Sequence, residues 1–188
     1  VFGGAAVATV RLGAGPWIIV PRPGAFPLAQ PGEVGGALTE IQPDFPAGSL
    51  RTTPLARERQ SSGRQSLETA RVIVSGGRGL GGPEPFRLLE QIADTIGAAV
   101  GASRPPCDSG WVPTSLQVGL TGKTVSPEVY IAVGISGATQ HITGCSSART
   151  LVAINTDPEA PIFRVATFGV VGDWKEVLPG FLEALESA

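Results

Sequence analysis

The feature that most constrains this sequence is an apolar run at residues 129–135 that is followed at once by small residues. The run is rich in β-branched side chains and shows no polar alternation, which is typical of a strand buried on both faces of a parallel sheet. It ends in Ser136, Gly137 and Ala138, whose small side chains leave the backbone amides open. Because open α/β sheets bind ligands at the carboxyl ends of their strands, this turn is a candidate binding site.

His141 is the only histidine in the chain, and it follows this turn at the expected start of a helix or in the loop that feeds it. A lone histidine is most often a structural residue. Its position after a strand and a glycine turn nevertheless favours contact with a ligand. Thr139 and Gln140, which precede it, belong to the same candidate segment.

Strands and helices are predicted to alternate from residue 71 onwards. The predicted strands lie at residues 72–74, 98–104, 129–135, 150–155 and 165–171. Apolar residues between Phe86 and Ile96 recur every three or four positions, which predicts a helix that Gly97 ends. Asp173 is a predicted cap for a final amphipathic helix, bent at Pro179. This order predicts an α/β fold with a doubly wound, mostly parallel sheet.

Hydrogen-bonding groups follow several predicted strands, and parallel strands end at one edge of a sheet. The candidates are Arg78, Ser103, Arg104, Thr121 in the glycine loop at residues 118–123, residues 136–141, and Asn155. They include no paired carboxylates, no nucleophile beside a base and no metal-binding cluster. The set therefore predicts a nucleotide or flavin site, with no catalytic residue and no metal.

Composition and charge exclude several classes of protein. The net charge is −2 and no basic run is present, so a nucleic-acid partner is not expected. No window approaches the roughly 18 unbroken apolar residues of a membrane span. Cys107 and Cys145 lie far apart without a neighbouring ligand pattern, so both are expected to be free thiols. The chain contains no methionine, even at residue 1, which predicts a piece of a longer protein.

The first part of the chain differs in character from the rest. Two apolar runs within residues 5–20 are separated by a glycine-containing turn, which predicts a β-hairpin that needs a partner surface. We interpret residues 1–46 as the β-rich tail of a truncated domain, residues 47–70 as a linker, and residues 71–188 as the ligand-binding domain.

Several segments together resemble a known family. Residues 74–79, 100–104, 121–123, 127–141 and 153–163 look like the FAD-binding domain of the electron transfer flavoprotein alpha subunit, in order and with family-like spacing. Residues 10–26 also resemble the end of that subunit's first domain. The resemblance implies a Rossmann-like NAD/FAD-binding domain of the DHS-like type, preceded by a β-hairpin remnant of another domain.

The same resemblance implies an electron carrier and not an enzyme. Such a subunit holds FAD in a heterodimer with a beta subunit. It passes electrons from acyl-CoA dehydrogenases of fatty acid β-oxidation, and from related dehydrogenases, to a membrane quinone oxidoreductase. The expected location is the bacterial cytoplasm, or the mitochondrial matrix if the source is eukaryotic.

Individual roles follow from the resemblance. Arg78 and Ser103 would contact the phosphate and adenosine half of FAD, and Arg104 would place its charge near the flavin. Thr121 would bond flavin N5, and His141 would act as a charge-assisted donor at the O2/N1 edge. The remaining implied contacts are Val118, Gly119, Leu120, Ser136, Gly137, Ala138, Thr139, Gln140, Asn155, Thr167 and Phe168. Leu120 departs from the family's glutamine, and Thr167 and Phe168 depart from its Asp-Tyr pair.

Two alternatives stay open at this point. The chain could be an NAD-dependent enzyme of related fold in which His141 acts as acid or base. No acidic residue follows the first glycine loop at the place where the dinucleotide fingerprint needs one, which argues against this alternative. The chain could also be a fragment that binds no cofactor stably, in which case its apolar hairpin would drive self-association.

Overall fold

A computed structural model describes residues 7–21, 26, 30, 32, 35, 37–46, 48–49, 52–53, 55–56 and 65–187 of the chain. The chain divides into two compact units: Val1–Phe26 with Gly63–Ala188, and Pro27–Ser62. The described residues of the second unit form no helix or strand, and their large apolar side chains, such as Leu38 and Ile41, are exposed. The helices and strands of the described residues therefore all lie in the first unit.

The β-hairpin predicted within residues 5–20 is not observed. Residues 5 and 6 lie outside the described residues, and residues 7–20 contain no strand. Trp17 donates from Nε1 to the Gly13 carbonyl at 2.8 Å, while Ile18 remains 92% exposed. The prediction was therefore wrong for residues 7–20, and an isolated hairpin is only marginally stable in water.

The first unit contains a sheet of five parallel strands. The strands are β1 (Val72–Gly76), β2 (Ala99–Ala102), β3 (Val129–Val133), β4 (Thr150–Asn155) and β5 (Phe168–Val171), in the spatial order β2-β1-β3-β4-β5. The β1, β2 and β3 segments are almost completely buried, as their unbroken apolar sequences predict. The predicted fold class, an α/β domain with a parallel sheet, is confirmed.

Helices cover both faces of the sheet. They are α1 (Phe86–Ile96), α2 (Arg104–Asp108), α3 (Thr139–Cys145) and α4 (Trp174–Glu186). One buried cluster joins the sheet to α1 and α4 through Leu89, Ile92 and Leu178. A second cluster on the opposite face joins the sheet to α3 and the glycine loop through Cys145 and Val118. The sheet is therefore doubly wound, as expected.

The local signals for α1 and α4 also agree with the structure. The apolar stripe of α1 is buried, and Gly97 ends the helix in the left-handed conformation with φ 65°. Asp173 caps α4 by accepting a hydrogen bond from the Lys175 amide at 3.0 Å. Both helices are thus specified by short-range sequence as well as by packing.

Two short turns add detail that the predicted elements did not include. Pro105 occupies the first turn of α2, where a missing N–H is tolerated. A 3₁₀ turn at Pro161–Arg164 precedes β5. Leu67 and Ala70, assigned by sequence to the linker, are buried in the core, so the folded domain includes them.

Both cysteines are free, as predicted, and the structure shows that both are buried. Burial raises the pKa of the Cys145 thiol to about 12, so it stays protonated at neutral pH. Within the described part of the chain, every helix is too short or too polar to cross a membrane.

Candidate functional site

The sheet carries a cavity of about 550 Å³ at the carboxyl ends of its strands. Residues that follow β1, β2 and β3, together with the last residue of β4, contribute to its walls. The chain leaves β1 in one direction to form β2 and later returns on the other side to form β3. This reversal is the topological switch point, where doubly wound sheets bind their ligands. A cavity of this size is ordinary for a small-molecule site.

Most of the residues suggested by the sequence line this cavity. They are Arg78, Ser103, Arg104, Val118, Gly119, Leu120, Thr121, Ser136, Ala138, Gln140, His141 and Asn155. The lining also includes residues that sequence reasoning missed: Gly79, Pro105, Asp108, Gln117, Gly134 and Ile135. Gly79, Pro105, Gln117 and Ile135 each adjoin a predicted residue in the chain, and this adjacency is a signal that could have found them. Gly134 directly follows β3, before the predicted turn, and Asp108 reaches the cavity from the last turn of α2.

Four predicted residues do not line the cavity. Gly137 packs against Ile162, and Thr139 is exposed on α3. The Thr167 hydroxyl accepts a hydrogen bond from the Leu151 amide at 3.1 Å, at the amino end of β4. Thr167 and Phe168 therefore lie at the edge of the sheet opposite the cavity. The expectation that they contact a cofactor there was wrong, because parallel strands begin and end at opposite edges.

The carboxyl edge also receives the start of α4. The Trp174 indole donates from Nε1 to the Gly79 carbonyl at 3.2 Å, which ties the helix to the loop after β1. Gly79 in turn donates its amide to the Gly134 carbonyl at 2.9 Å. A Cβ atom at Gly79 would lie 2.9 Å from the Gly134 Cα, so only glycine allows these two loops to touch.

The glycine loop at residues 118–123 is fixed against the start of α3. The Leu120 amide donates to the Gln140 carbonyl at 2.7 Å. Gly119 has a φ of 149°, and a Cβ there would lie 2.9 Å from the same carbonyl. This glycine therefore permits a close approach of loop and helix that no other residue allows.

His141 connects the same loop to the sheet. Its Nδ1 lies 2.9 Å from the Val118 carbonyl, and its Nε2 lies 3.0 Å from the Tyr130 hydroxyl. A carbonyl oxygen only accepts, so Nδ1 carries the proton and Nε2 accepts from Tyr130. Burial lowers the pKa of His141 to about 4, even though the bond to Val118 opposes this shift. The imidazole is therefore neutral at pH 7.

This geometry corrects one expectation about His141. The residue lines the cavity, but it is not charged, and its only N–H is already donated to Val118. It cannot act as a charge-assisted donor without breaking that bond. The same facts weaken the alternative in which His141 is the acid or base of an enzyme, because neither ring nitrogen is free.

The Tyr130→Phe variant should be less stable than the native chain by about 1–3 kcal/mol. Tyr130 is fully buried, and its hydroxyl is the donor to His141 Nε2, which would be left buried without a partner. Urea denaturation at pH 7.5 measures the difference. Thr95→Val is the control, since it removes an exposed hydroxyl that bonds only its own helix. Equal stability of Tyr130→Phe and this control would contradict the assigned bond.

Two arginines bring positive charge to the cavity. Arg78 is exposed, and its guanidinium has no hydrogen bond or ion pair with any described residue. Arg104 donates from Nε to Asp108 Oδ2 at 3.0 Å, in an exposed ion pair within α2. Because Arg78 has no carboxylate partner, it is the better placed of the two to bind an anionic ligand.

Asn155 already has a structural role. Its Nδ2 donates to the Ile135 carbonyl at 2.9 Å, and its Oδ1 accepts from the Asp157 amide at 3.0 Å. These bonds hold the loops after β3 and β4 together. One N–H of the side-chain amide is left for a ligand. Ser103, which is buried at the end of β2, also lines the cavity.

The cavity offers hydrogen-bond donors and apolar side chains more than reactive groups. Arg78, Ser103 and Thr121 supply hydrogen-bond donors, while Ile135 and Leu120 supply apolar surface. No group of residues in the described part of the chain could hold a metal ion. This set of donors fits a ligand with phosphates and a flat heteroaromatic ring, and it is suited to binding and tuning that ligand.

Fold and cavity together define a Rossmann-like α/β domain with a ligand site at the carboxyl edge of its sheet. A sequence profile of the family described as the electron transfer flavoprotein FAD-binding domain matches residues 66–146. The chain is also similar to electron transfer flavoprotein alpha subunits. It therefore belongs to the electron transfer flavoprotein alpha family.

Three relatives illustrate the similarity. The alpha subunit of Thermoanaerobacterium thermosaccharolyticum is 42% identical over 187 residues, which cover 98% of this chain and 57% of that protein. The alpha subunit of Mycobacterium leprae is 43% identical, over 100% of this chain and 58% of that protein. The mitochondrial alpha subunit of Dictyostelium discoideum is 55% identical over 131 residues, 70% of this chain and 37% of that protein. The chain thus spans a little more than half the length of the first two relatives and about a third of the last.

Proposed function

We propose that this chain is the FAD-binding part of an electron transfer flavoprotein alpha subunit and acts as a redox carrier. The observation that carries the proposal is the donor-lined cavity at the switch point of the sheet, which lies within a domain of a family described as FAD-binding. FAD bound there would supply the redox chemistry, since flavins accept and release electrons one or two at a time. The protein would bind it, orient it and set its potential.

The proposed roles of individual residues follow the cavity. Arg78 and Ser103 would hold the phosphate and adenosine half, and Arg104 would lie near the flavin with its charge partly offset by Asp108. Thr121 would donate to N5. Ser136, Ala138 and Gln140 would offer backbone amides, and Asn155 its remaining N–H.

His141 would act differently from a charged donor. As a neutral ring it would form part of the cavity wall, and through its bond to Val118 it would hold the glycine loop in place. Its influence on the flavin would then come from the position of the loop and from the low polarity of the wall. Leu120, which is 64% exposed, would add apolar surface at the cavity mouth.

The proposed partners are those of the family. A beta subunit would complete the heterodimer, acyl-CoA dehydrogenases and related enzymes would deliver electrons, and a membrane quinone oxidoreductase would receive them. Residues 1–46 would belong to a preceding domain, and the residues between 47 and the buried Leu67 would connect it to the FAD-binding domain. The carrier would work in the bacterial cytoplasm, or in the mitochondrial matrix of a eukaryote.

Reconstitution tests this function directly. The chain is mixed with a beta subunit and FAD, the complex is isolated by size-exclusion chromatography, and its visible spectrum is recorded. A complex with flavin absorption bands is the expected result. A complex that contains no flavin would refute the proposal. Self-association of the chain with no uptake of either component would instead favour the fragment without a stable cofactor.

The Arg78→Ala variant should bind FAD about tenfold to a hundredfold more weakly, the equivalent of one hydrogen bond to a charged group. Arg78 lines the cavity, and its guanidinium is free of described partners. Arg87→Ala is the matched control, because Arg87 is exposed on α1 and does not line the cavity. Fluorescence titration of FAD into the complex measures both affinities. Equal losses of FAD affinity in the two variants would show that Arg78 acts only through the overall charge of the protein and makes no direct bond to FAD.

A further inference from the structure

Gln117 is a buried polar residue that the proposed function does not use. It is 8% exposed, lies under the glycine loop and lines the cavity. Its side-chain Nε2 donates to the hydroxyl oxygen of Thr121 at 2.9 Å. The bond joins the residue directly before the glycine loop to Thr121 within it.

The backbone of Gln117 is held on both sides. Its amide donates to the Thr114 carbonyl at 3.0 Å, and its carbonyl accepts from the Lys123 amide at 2.7 Å. A Cβ atom at Gly122 would overlap this carbonyl and lie 2.9 Å from the Gln117 Cγ, so the side chain is packed against the loop. The amide group of Gln117 is therefore a fixed donor with little freedom to turn.

The direction of this bond decides what Thr121 can do. A hydroxyl group has one proton to donate and two lone pairs that accept. Gln117 occupies one lone pair, so the proton of Thr121 is directed away from it. No described residue accepts that proton, and Thr121 is exposed at the cavity. The hydroxyl is thus left to donate into the cavity.

We propose that Gln117 is a positioning residue that fixes the Thr121 hydroxyl as a donor to the ligand. The inference rests on the proposed function, because the ligand is taken to be FAD. A donor aimed at flavin N5 favours the form in which N5 has more electron density but carries no proton, which is the anion formed by uptake of one electron. Gln117 therefore raises the affinity for this one-electron-reduced FAD relative to oxidised FAD without touching it.

The test compares four variants in the complex with the beta subunit. Q117E replaces the donor by an acceptor, so at pH 8 the Thr121 proton turns towards the introduced carboxylate. Q117L removes the bond and lets the hydroxyl rotate. Thr121→Val removes the hydroxyl, and Q117L with Thr121→Val removes both groups. Q91L is the control for the Gln-to-Leu change, since Gln91 is exposed on α1 outside the cavity.

The readout is the ratio of the dissociation constants of oxidised and one-electron-reduced FAD, obtained from the midpoint potential of the first electron. Thr121→Val and Q117E should each lower this ratio by about tenfold, or about 59 mV for a one-electron couple. Q117L should lower it less, and the double variant should match Thr121→Val. The inference is overturned if the double variant shifts the potential further than Thr121→Val alone. It is also overturned if neither Q117E nor Q117L shifts the potential more than Q91L.

A second measurement does not depend on flavin. In nuclear magnetic resonance spectra of the chain without FAD, the side-chain amide signals of Gln117 should move in Thr121→Val and stay in place in Thr95→Val. Unmoved signals would overturn the inference even if FAD binds. If the signals move but the native complex takes up no FAD, the proposed function and this tuning role fail, while the bond between Gln117 and Thr121 stands.

Discussion

The Gly137→Ala variant should lose about 4 kcal/mol of stability, which combines left-handed backbone strain with overpacking. Gly137 has a φ of 87°, and an added Cβ would overlap the Ile162 nitrogen and lie 2.5 Å from its Cα. Ile162 cannot move away easily, because it is fully buried and its amide donates to the Ser136 carbonyl at 3.0 Å. Thermal and urea denaturation measure the loss.

Gly97→Ala separates the two contributions to that loss. Gly97 has a φ of 65°, but no atom lies within 4 Å of the position of its added Cβ. This control should lose only about 1–2 kcal/mol, the strain of a left-handed residue alone. If Gly137→Ala were no less stable than Gly97→Ala, the contact between the turn after β3 and Ile162 would be looser than the structure indicates.

The stability of the chain should depend on the ionisation of His141 between pH 6.5 and pH 4. Its pKa is about 4 in the folded chain, against an ordinary value of 6.5. The unfolded chain therefore binds a proton in this range that the folded chain does not, and stability falls as the pH falls. The contribution is fully present above pH 6.5, and about 3 kcal/mol of it is lost by pH 4.

The His141→Gln variant isolates this effect. A glutamine side chain has a donor and an acceptor but does not titrate, so it replaces the hydrogen bonds without the charge change. Free energies of unfolding are measured for both chains from pH 8 to pH 4. The gap between the two curves should change by about 3 kcal/mol over this range. Parallel curves would mean that His141 is not kept neutral by burial. Carboxylates such as Glu68 titrate equally in both chains, so they cancel.

The fold could be predicted from sequence where short-range patterns and burial agree. β3 combines an unbroken apolar sequence with a glycine turn, and α1 combines a clear apolar stripe with a glycine end. The hairpin within residues 5–20 has an equally apolar sequence, yet residues 7–20 form no strand. Apolar patterns predict strands only if another surface covers them, and the pattern itself cannot show whether such a surface exists.

The candidate site could be predicted in part. Residues directly after strands, such as Arg78 and Ser103, follow from the rule that parallel strands end at one edge. The role suggested for Thr167 came from resemblance alone. Thr167 directly precedes β5, so it lies at the amino edge of the sheet, whereas the cavity lies at the carboxyl edge. Gln117 was missed because its importance lies in one hydrogen bond to Thr121, and a sequence does not show the direction in which a buried amide points.

The walls of the cavity come from positions as far apart in the chain as Arg78 and Asn155. No shorter stretch can form it, because β1 and β4 meet only through β3. During synthesis the cavity would appear only after β4 has left the ribosome and paired. A ligand that binds in the cavity binds only the chain in which β4 has paired, and it therefore stabilises the paired sheet by mass action. Ligand binding and the pairing of β4 are thus thermodynamically linked.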